Sequence, residues 1–114
     1  RIKDALWIDN ERIYTFAPEK DCDALAGVVR SALVQHQQQT LLVLEVTDCP
    51  EHRQLLAILH KHGIPQANLV LVKKMPVDGR HNSKIDRVAL LVGIAKKRWP
   101  IQALSPKANA WEST

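Results

Sequence analysis

"TLLVLEVTDCPEHRQLLAILHKHG", residues 40–63, decides the fold. Its first seven residues are almost wholly apolar, with no alternation of apolar and polar positions. A strand of that kind is expected at the centre of a sheet, covered on both faces. A helix signature follows at once. Asp48 or Cys49 precedes Pro50 in the first turn and Glu51 comes next. Leu55, Leu56 and Leu59 form a buried stripe, and Gly63 stops the helix with Pro65 beyond it. A second apolar run, "NLVLVKK" at 68–74, reads as another strand.

Upstream, "VVRSALV" (28–34) is a further strand, and the polar "QHQQQ" (35–39) is short enough to join it to residues 40–46 as an antiparallel pair. "ALWID" and "RIYTF" are two short β-prone runs around Asn10-Glu11. The usual turn glycine is missing there, and Asn10 can supply the left-handed turn residue. Pro18, Glu19, Asp21 and Asp23 open a short helix that ends near Gly27. Downstream, a last helix is expected from Lys84, with Ser83 as its cap, Asp86 three residues on at capping-box spacing, and Ile85, Val88, Ala89 and Val92 on one face. The order hairpin, helix, strand, strand, helix, strand, helix predicts an α+β fold: an N-terminal β-hairpin plus a small mixed sheet of about three strands packed with helices. Residues 99–114 read as a loose tail.

The chain has 114 residues, 46% apolar and 25% charged, which suits one soluble domain with a real core. No apolar run approaches a membrane span and no signal-peptide core opens the chain, so no membrane span is expected. Two cysteines do not make a disulfide framework, and they point to a reducing, cytoplasmic setting while leaving a single Cys22–Cys49 bridge open. The chain begins at Arg rather than Met, as a segment of something longer does.

Charge is unevenly placed. Residues 1–72 hold seven Lys/Arg against nine Asp/Glu, a net of −2; residues 73–114 hold nine against three, a net of +6. That field favours an anionic partner. Lys96, Lys97 and Arg98 are accounted for by the C-terminal dipole of a helix. Five histidines invite a metal site, but His60 and His62 diverge on a helix and no HExxH or Cys/His cluster exists, so none is expected. His52, His60 and His62 read as solvated helix residues and His36 as part of a turn. One Phe and one Tyr give little stacking surface for single-stranded nucleic acid.

The exception to ordinary chemistry is "MPVDGRHNSKIDRVAL", residues 75–90. Arg80, His81 and Lys84 crowd the expected start of a helix, where the backbone already carries partial positive charge. Cations there repel the dipole unless a phosphate or carboxylate visits. A lysine stem that simply lies in solvent is the competing reading.

This stretch resembles the closing signature of the adenylate-forming (AMP-binding) acyl ligases, and its "PVDxRHNxKI" wording is most similar to the branch with the β-lactone synthetases of olefin biosynthesis. "RIKDALWIDNERIYTFAPEKDCDALAGVVRSALV" resembles the hinge, hairpin, Pro-x-Glu helix and following strand of the same family. The likeness runs from Arg1 to about Lys97 in the family's own order. It implies that residues 1–98 are a C-terminal lid domain, with 1–17 its hinge and hairpin and 18–98 its core.

By the same resemblance a large N-terminal adenylation domain of the same polypeptide binds ATP with Mg2+ and a carboxylic acid, and the lid closes over it to form an acyl-adenylate. Lys84 matches the catalytic lysine that reaches the carboxylate and α-phosphate. Arg1 matches the arginine that contacts the ribose hydroxyls, and Lys3 the hinge position. Arg80 and His81 are candidates for phosphate or product-step support. Ser83 stands where the common form has Gly, and the hairpin lacks the glycine that lines a pantetheine tunnel, which leaves CoA as acceptor open. Two rivals remain: a non-catalytic basic α+β module that binds RNA or a phosphorylated partner through 73–98, and a purely structural domain in which Lys84 is buried in a salt bridge.

Overall fold

The computed structural model describes residues 5–79 and 81–104; for 81–83 it describes the backbone. Arg1, Lys3 and Arg80 lie outside the described residues, as does 105–114.

The chain opens with a hairpin of β1 (Ala5–Ile8) and β2 (Glu11–Tyr14), with Ile8 opposite Glu11. Its turn is Asp9-Asn10, one residue earlier than expected, and both residues take positive φ (51° and 65°). That is the two-residue geometry whose twist matches the flanking strands, here made without glycine. α1 (Phe16–Asp23) follows with Pro18 in its first turn. Then come β3 (Val28–His36) and β4 (Gln39–Val46), antiparallel around a second positive-φ turn, Gln37-Gln38 (52° and 65°). His36 therefore ends a strand and is not part of the turn.

α2 (His52–Lys61) carries the chain over to β5 (Asn68–Val72), which lies parallel to β4 with Leu42 beside Leu69 and Leu44 beside Leu71. The cap of α2 is Glu51, not Asp48 or Cys49. Its carboxylate accepts from the Gln54 backbone while the Gln54 side chain accepts from the Glu51 N–H, a reciprocal box that satisfies two donors otherwise left open. Gly63 takes φ +82° at the other end, the left-handed stop that a Cβ disfavours.

β6 (Val77–Asp78) and β7 (His81–Ile85) form a second small hairpin. α3 (Arg87–Ala95) follows, and β8 (Ile101–Ala103) pairs antiparallel with β5. The central sheet is thus four strands in the order β3-β4-β5-β8. The fourth strand corrects the tail expected from residue 99: hydrogen bonds to the β5 edge outweigh the weak local propensity of Ile101–Ala103, all of it exposed.

β4 shows why the sheet needs two covers. Leu41, Leu42, Val43 and Leu44 are all completely buried, yet they alternate between two cores. Leu42 and Leu44 join Leu6, Cys22, Leu33, Leu55, Leu59 and Leu69 on one face; Leu41 and Val43 join Ala32, Val70, Met75, Leu90 and Ile94 on the other. The first hairpin, α1 and α2 cover the one face and α3 the other.

The expected face of α3 is wrong. Leu90 and Ile94 face the sheet, while Val88 is 73% exposed and Val92 43%. "RVALLVGIA" is apolar on every side, so spacing alone selects no face; contact with the sheet does. Gly93 also faces inward, and a Cβ there would lie 2.6 Å from the Trp99 ring. The missing side chain lets Trp99 close over the helix.

Candidate functional site

A concavity of about 1050 Å³ is lined by Trp7, Gln35, Arg53, Leu56, His60 and Leu104 and by no residue of the β6–β7 hairpin. The charged motif lies elsewhere, on the face that α3 covers.

Lys84 sits in β7 and is exposed. It is not the first residue of a helix, and Ser83 is not a cap. α3 begins three residues later, at Arg87, with Asp86 as its cap: the Asp86 Oδ1 accepts from the Ala89 N–H at 3.0 Å. The "SKID" spacing misleads because Asp86 satisfies the helix end by itself, and one carboxylate there suffices. Val77 pairs with Ile85 and Asp78 with His81, with an irregularity between them, and the Asp86 N–H donates to the Pro76 carbonyl at 3.0 Å to close the base of the hairpin. A Cβ on Gly79, at the tip, would meet nothing within 4 Å. The hairpin is a small arm on which Lys84 is exposed while Ile85 packs against the core, and among the described residues no ion pair to Lys84 is formed. The buried salt bridge that a purely structural reading requires is therefore not formed among them.

The cation that does stand at the helix start is Arg87, which the motif does not single out. Its Nη2 donates to both carboxylate oxygens of Glu19, at 2.9 and 2.8 Å, and its Nη1 to the Leu33 carbonyl at 3.1 Å. Glu19 Oε2 also accepts from the Leu33 N–H at 2.7 Å. The pair is 21% and 12% exposed, so the counter-charge to this end of α3 comes from α1, inside the domain. An arginine after an aspartate cap was the available signal, but its partner lies 68 residues away in sequence.

The first helix is fixed by the same neighbourhood: Ser31, 2% exposed, donates its Oγ–H to Asp23 Oδ1 at 2.7 Å and stands 2.9 Å from the Glu19 carbonyl. His62 is not a solvated helix residue. It caps α2, and its Nε2 lies 2.7 Å from Asp21 Oδ2, with Lys61 Nζ at 3.5 Å. The hydrogen bond from His62, with the nearby Lys61 charge, holds the Asp21 carboxyl below its ordinary range against a smaller opposing effect of desolvation. Cys22 and Cys49 are free thiols, and burial, with Asp23, Asp21 and Glu19 nearby, pushes Cys22 up to about 12, the protonation state of a packing residue rather than a nucleophile. No cluster of three His, Cys, Asp or Glu side chains that could hold a metal occurs among the described residues. Nor is any helix among them long and apolar enough to cross a membrane.

No protein-family model matches the chain, and no curated protein matches it. Solved structures do. The amide bond synthetase McbA from Marinactinospora thermotolerans superposes with a TM-score of 0.63 at 19% identity, over 80% of this chain and 20% of its own. MatB from Rhodopseudomonas palustris gives 0.62 at 23% identity, over 79% and 20%. The o-succinylbenzoate coenzyme A synthetase MenE from Bacillus subtilis gives 0.58 at 18%, over 73% and 18%. The chain shares the fold of one portion of these enzymes. It spans about a fifth of their length, and MatB has also been solved with ATP bound.

Proposed function

We propose that this chain is the C-terminal domain of an ATP-dependent acyl-adenylating ligase, and that Lys84 supplies its catalytic cation. The observation that carries the reading is the position of Lys84: exposed, on a small two-stranded arm of a domain whose fold recurs as a fifth of McbA, MatB and MenE. Those neighbours are adenylate-forming enzymes, and the motif around Lys84 resembles that family's closing signature, in the wording of its β-lactone synthetase branch.

The chemistry suits a mobile ammonium. When a carboxylate attacks the α-phosphorus of ATP, two anions meet and charge grows on the phosphoryl oxygens. An ammonium placed between them offsets the repulsion and stabilises the charge that develops in the transition state, without transferring a proton. Holding that ammonium exposed on a small arm lets it enter a site built by another domain. On this reading residues 1–98 form the lid, Arg1 contacts the ribose, Lys3 is the hinge, and Arg80 and His81 support the phosphates or the product step. The N-terminal adenylation domain binds ATP and the carboxylic acid. On the same reading Mg2+ is bound mainly there. Acyl transfer to CoA is one continuation; the hairpin's lack of a tunnel glycine leaves an intramolecular or other acceptor equally open. The isolated lid is inactive.

The test is ATP–pyrophosphate exchange by the full-length polypeptide over a panel of carboxylic and β-hydroxy acids. Lys84→Ala is expected to lower the exchange rate on the order of a hundredfold to a thousandfold with unchanged thermal unfolding. Normal exchange in that variant rejects the assignment. A second reading draws on the exposed cations Lys73, Lys74, Lys84, Lys96, Lys97 and Arg98: a basic module that binds RNA or a phosphorylated partner. It requires an affinity that falls steeply with salt.

A further inference from the structure

The arm that carries Lys84 is held at both ends by carboxylates from other parts of the fold. Where the chain enters it, the Met75 N–H donates to Glu45 Oε1 at 2.9 Å and the Met75 side chain, 1% exposed, is sunk in the core beneath α3. Where it leaves, Arg87 is gripped through both oxygens of Glu19, and Glu19 is tied in turn to the Leu33 N–H. Between these feet the arm has the Asp86-to-Pro76 bond at its base and open space around Gly79 at its tip.

We infer that Glu19, Arg87 and Glu45 are positioning residues for Lys84: they fix the two feet of the β6–β7 arm, so that the ammonium is delivered at one height and direction. This rests on the adenylation reading above.

The geometry explains why these contacts matter more than surface ion pairs do. A solvent-exposed pair contributes little because water competes and two long side chains must be ordered. The Glu19–Arg87 pair is partly buried, with Nη2 meeting both carboxylate oxygens and Nη1 the Leu33 carbonyl, so every oxygen and both terminal nitrogens have a fixed partner and the pair sets orientation as well as distance. It joins α1, β3 and the first turn of α3 at one point, three residues from Lys84. An arm only two strands wide has little stiffness of its own. Misplacement of a reacting group by about 1 Å costs up to a hundredfold in rate. None of the three residues needs to touch the substrate for that cost to appear.

The experiment compares Arg87→Lys, which keeps the charge but loses the fork, with Glu19→Gln and Glu45→Ala in the full-length polypeptide. Two readouts are taken: kcat and KM for ATP in pyrophosphate exchange, and amide hydrogen exchange along the chain. The expected result is a fall in kcat of roughly tenfold to a hundredfold in Arg87→Lys and Glu19→Gln with KM for ATP nearly constant, and a smaller fall in Glu45→Ala. Amides of 77–85 should exchange faster while those of β4 and β5 do not change. Unchanged kcat in the folded variants, alongside a lost rate in Lys84→Ala, overturns the positioning role and leaves the adenylation reading standing. Faster exchange throughout β4 and β5 also overturns it, because the network then serves general packing. Full activity in Lys84→Ala overturns the adenylation reading itself, and the inference with it.

Discussion

The β4–β5 pair and the β6–β7 arm are built on opposite plans. In the pair, Leu41 to Leu44 and Leu69 to Val70 are fully buried, and successive side chains feed two separate cores. Position is held by many apolar contacts, and no single polar bond is decisive. In the arm, Lys84 is exposed and the tip meets open space, and of its described residues only Met75 and Ile85 reach the core, so its direction leans on a handful of polar contacts at its base. Burial gives stability to the first; anchoring gives orientation to the second. A side chain that serves another domain's site, as proposed for Lys84, cannot be stabilised by burial in its own.

The comparison is broken most directly by pairing Leu42→Ala with Lys84→Ala. The first removes a fully buried side chain and should cost about 2–5 kcal/mol in unfolding free energy, measured by urea denaturation. The second should leave that denaturation curve in place while removing exchange activity. Equal effects of both on stability would mean that the arm is part of the core. A sharper, smaller test concerns where α3 begins. Asp86→Ala removes the observed cap and should cost about 0.5–2 kcal/mol, whereas Ser83→Ala, in a strand, removes no helix cap. The reverse order would restore the helix start expected from the "SKID" spacing.

The smallest effect is at the α1–α2 contact, within the stable half. Asp21 has its pKa lowered by His62, so the folded state binds a proton there less readily than the unfolded chain does. Its contribution to stability is present above the ordinary aspartate value of 3.8 and is lost as pH falls through the lower folded value. Asp21→Asn should therefore flatten the acid limb of a melting-temperature profile. A variant whose acid limb matches the wild type would show that the contact contributes nothing.

Legibility followed the same division. β3, β4, β5 and α2 were readable because their apolar runs, glycine stop and prolines act within a few residues of one another. β8 was not, since Ile101, Gln102 and Ala103 form a strand only through the β5 edge. The α3 face was misread because Val88 and Val92 are as apolar as Leu90 and Ile94, and only the sheet beneath chooses between them. At the site, Lys84 could be singled out by its motif, while its setting in a strand could not. The Arg87–Glu19 pair that steadies it joins residues 68 apart; Arg1, Lys3 and Arg80 fall outside the described residues.

The sequence by itself determined the layer plan, an α+β domain around a doubly covered strand, because hydrophobic burial writes its demands residue by residue along the chain. It also marked Lys84, through a motif that resembles the closing signature of the adenylate-forming ligases. Tertiary structure alone decided which face of α3 is buried, where that helix begins, and that Lys84 rides an arm held at its base by Glu19 and Glu45. Those choices depend on free-energy differences between contacts distant in sequence, and no local pattern records them.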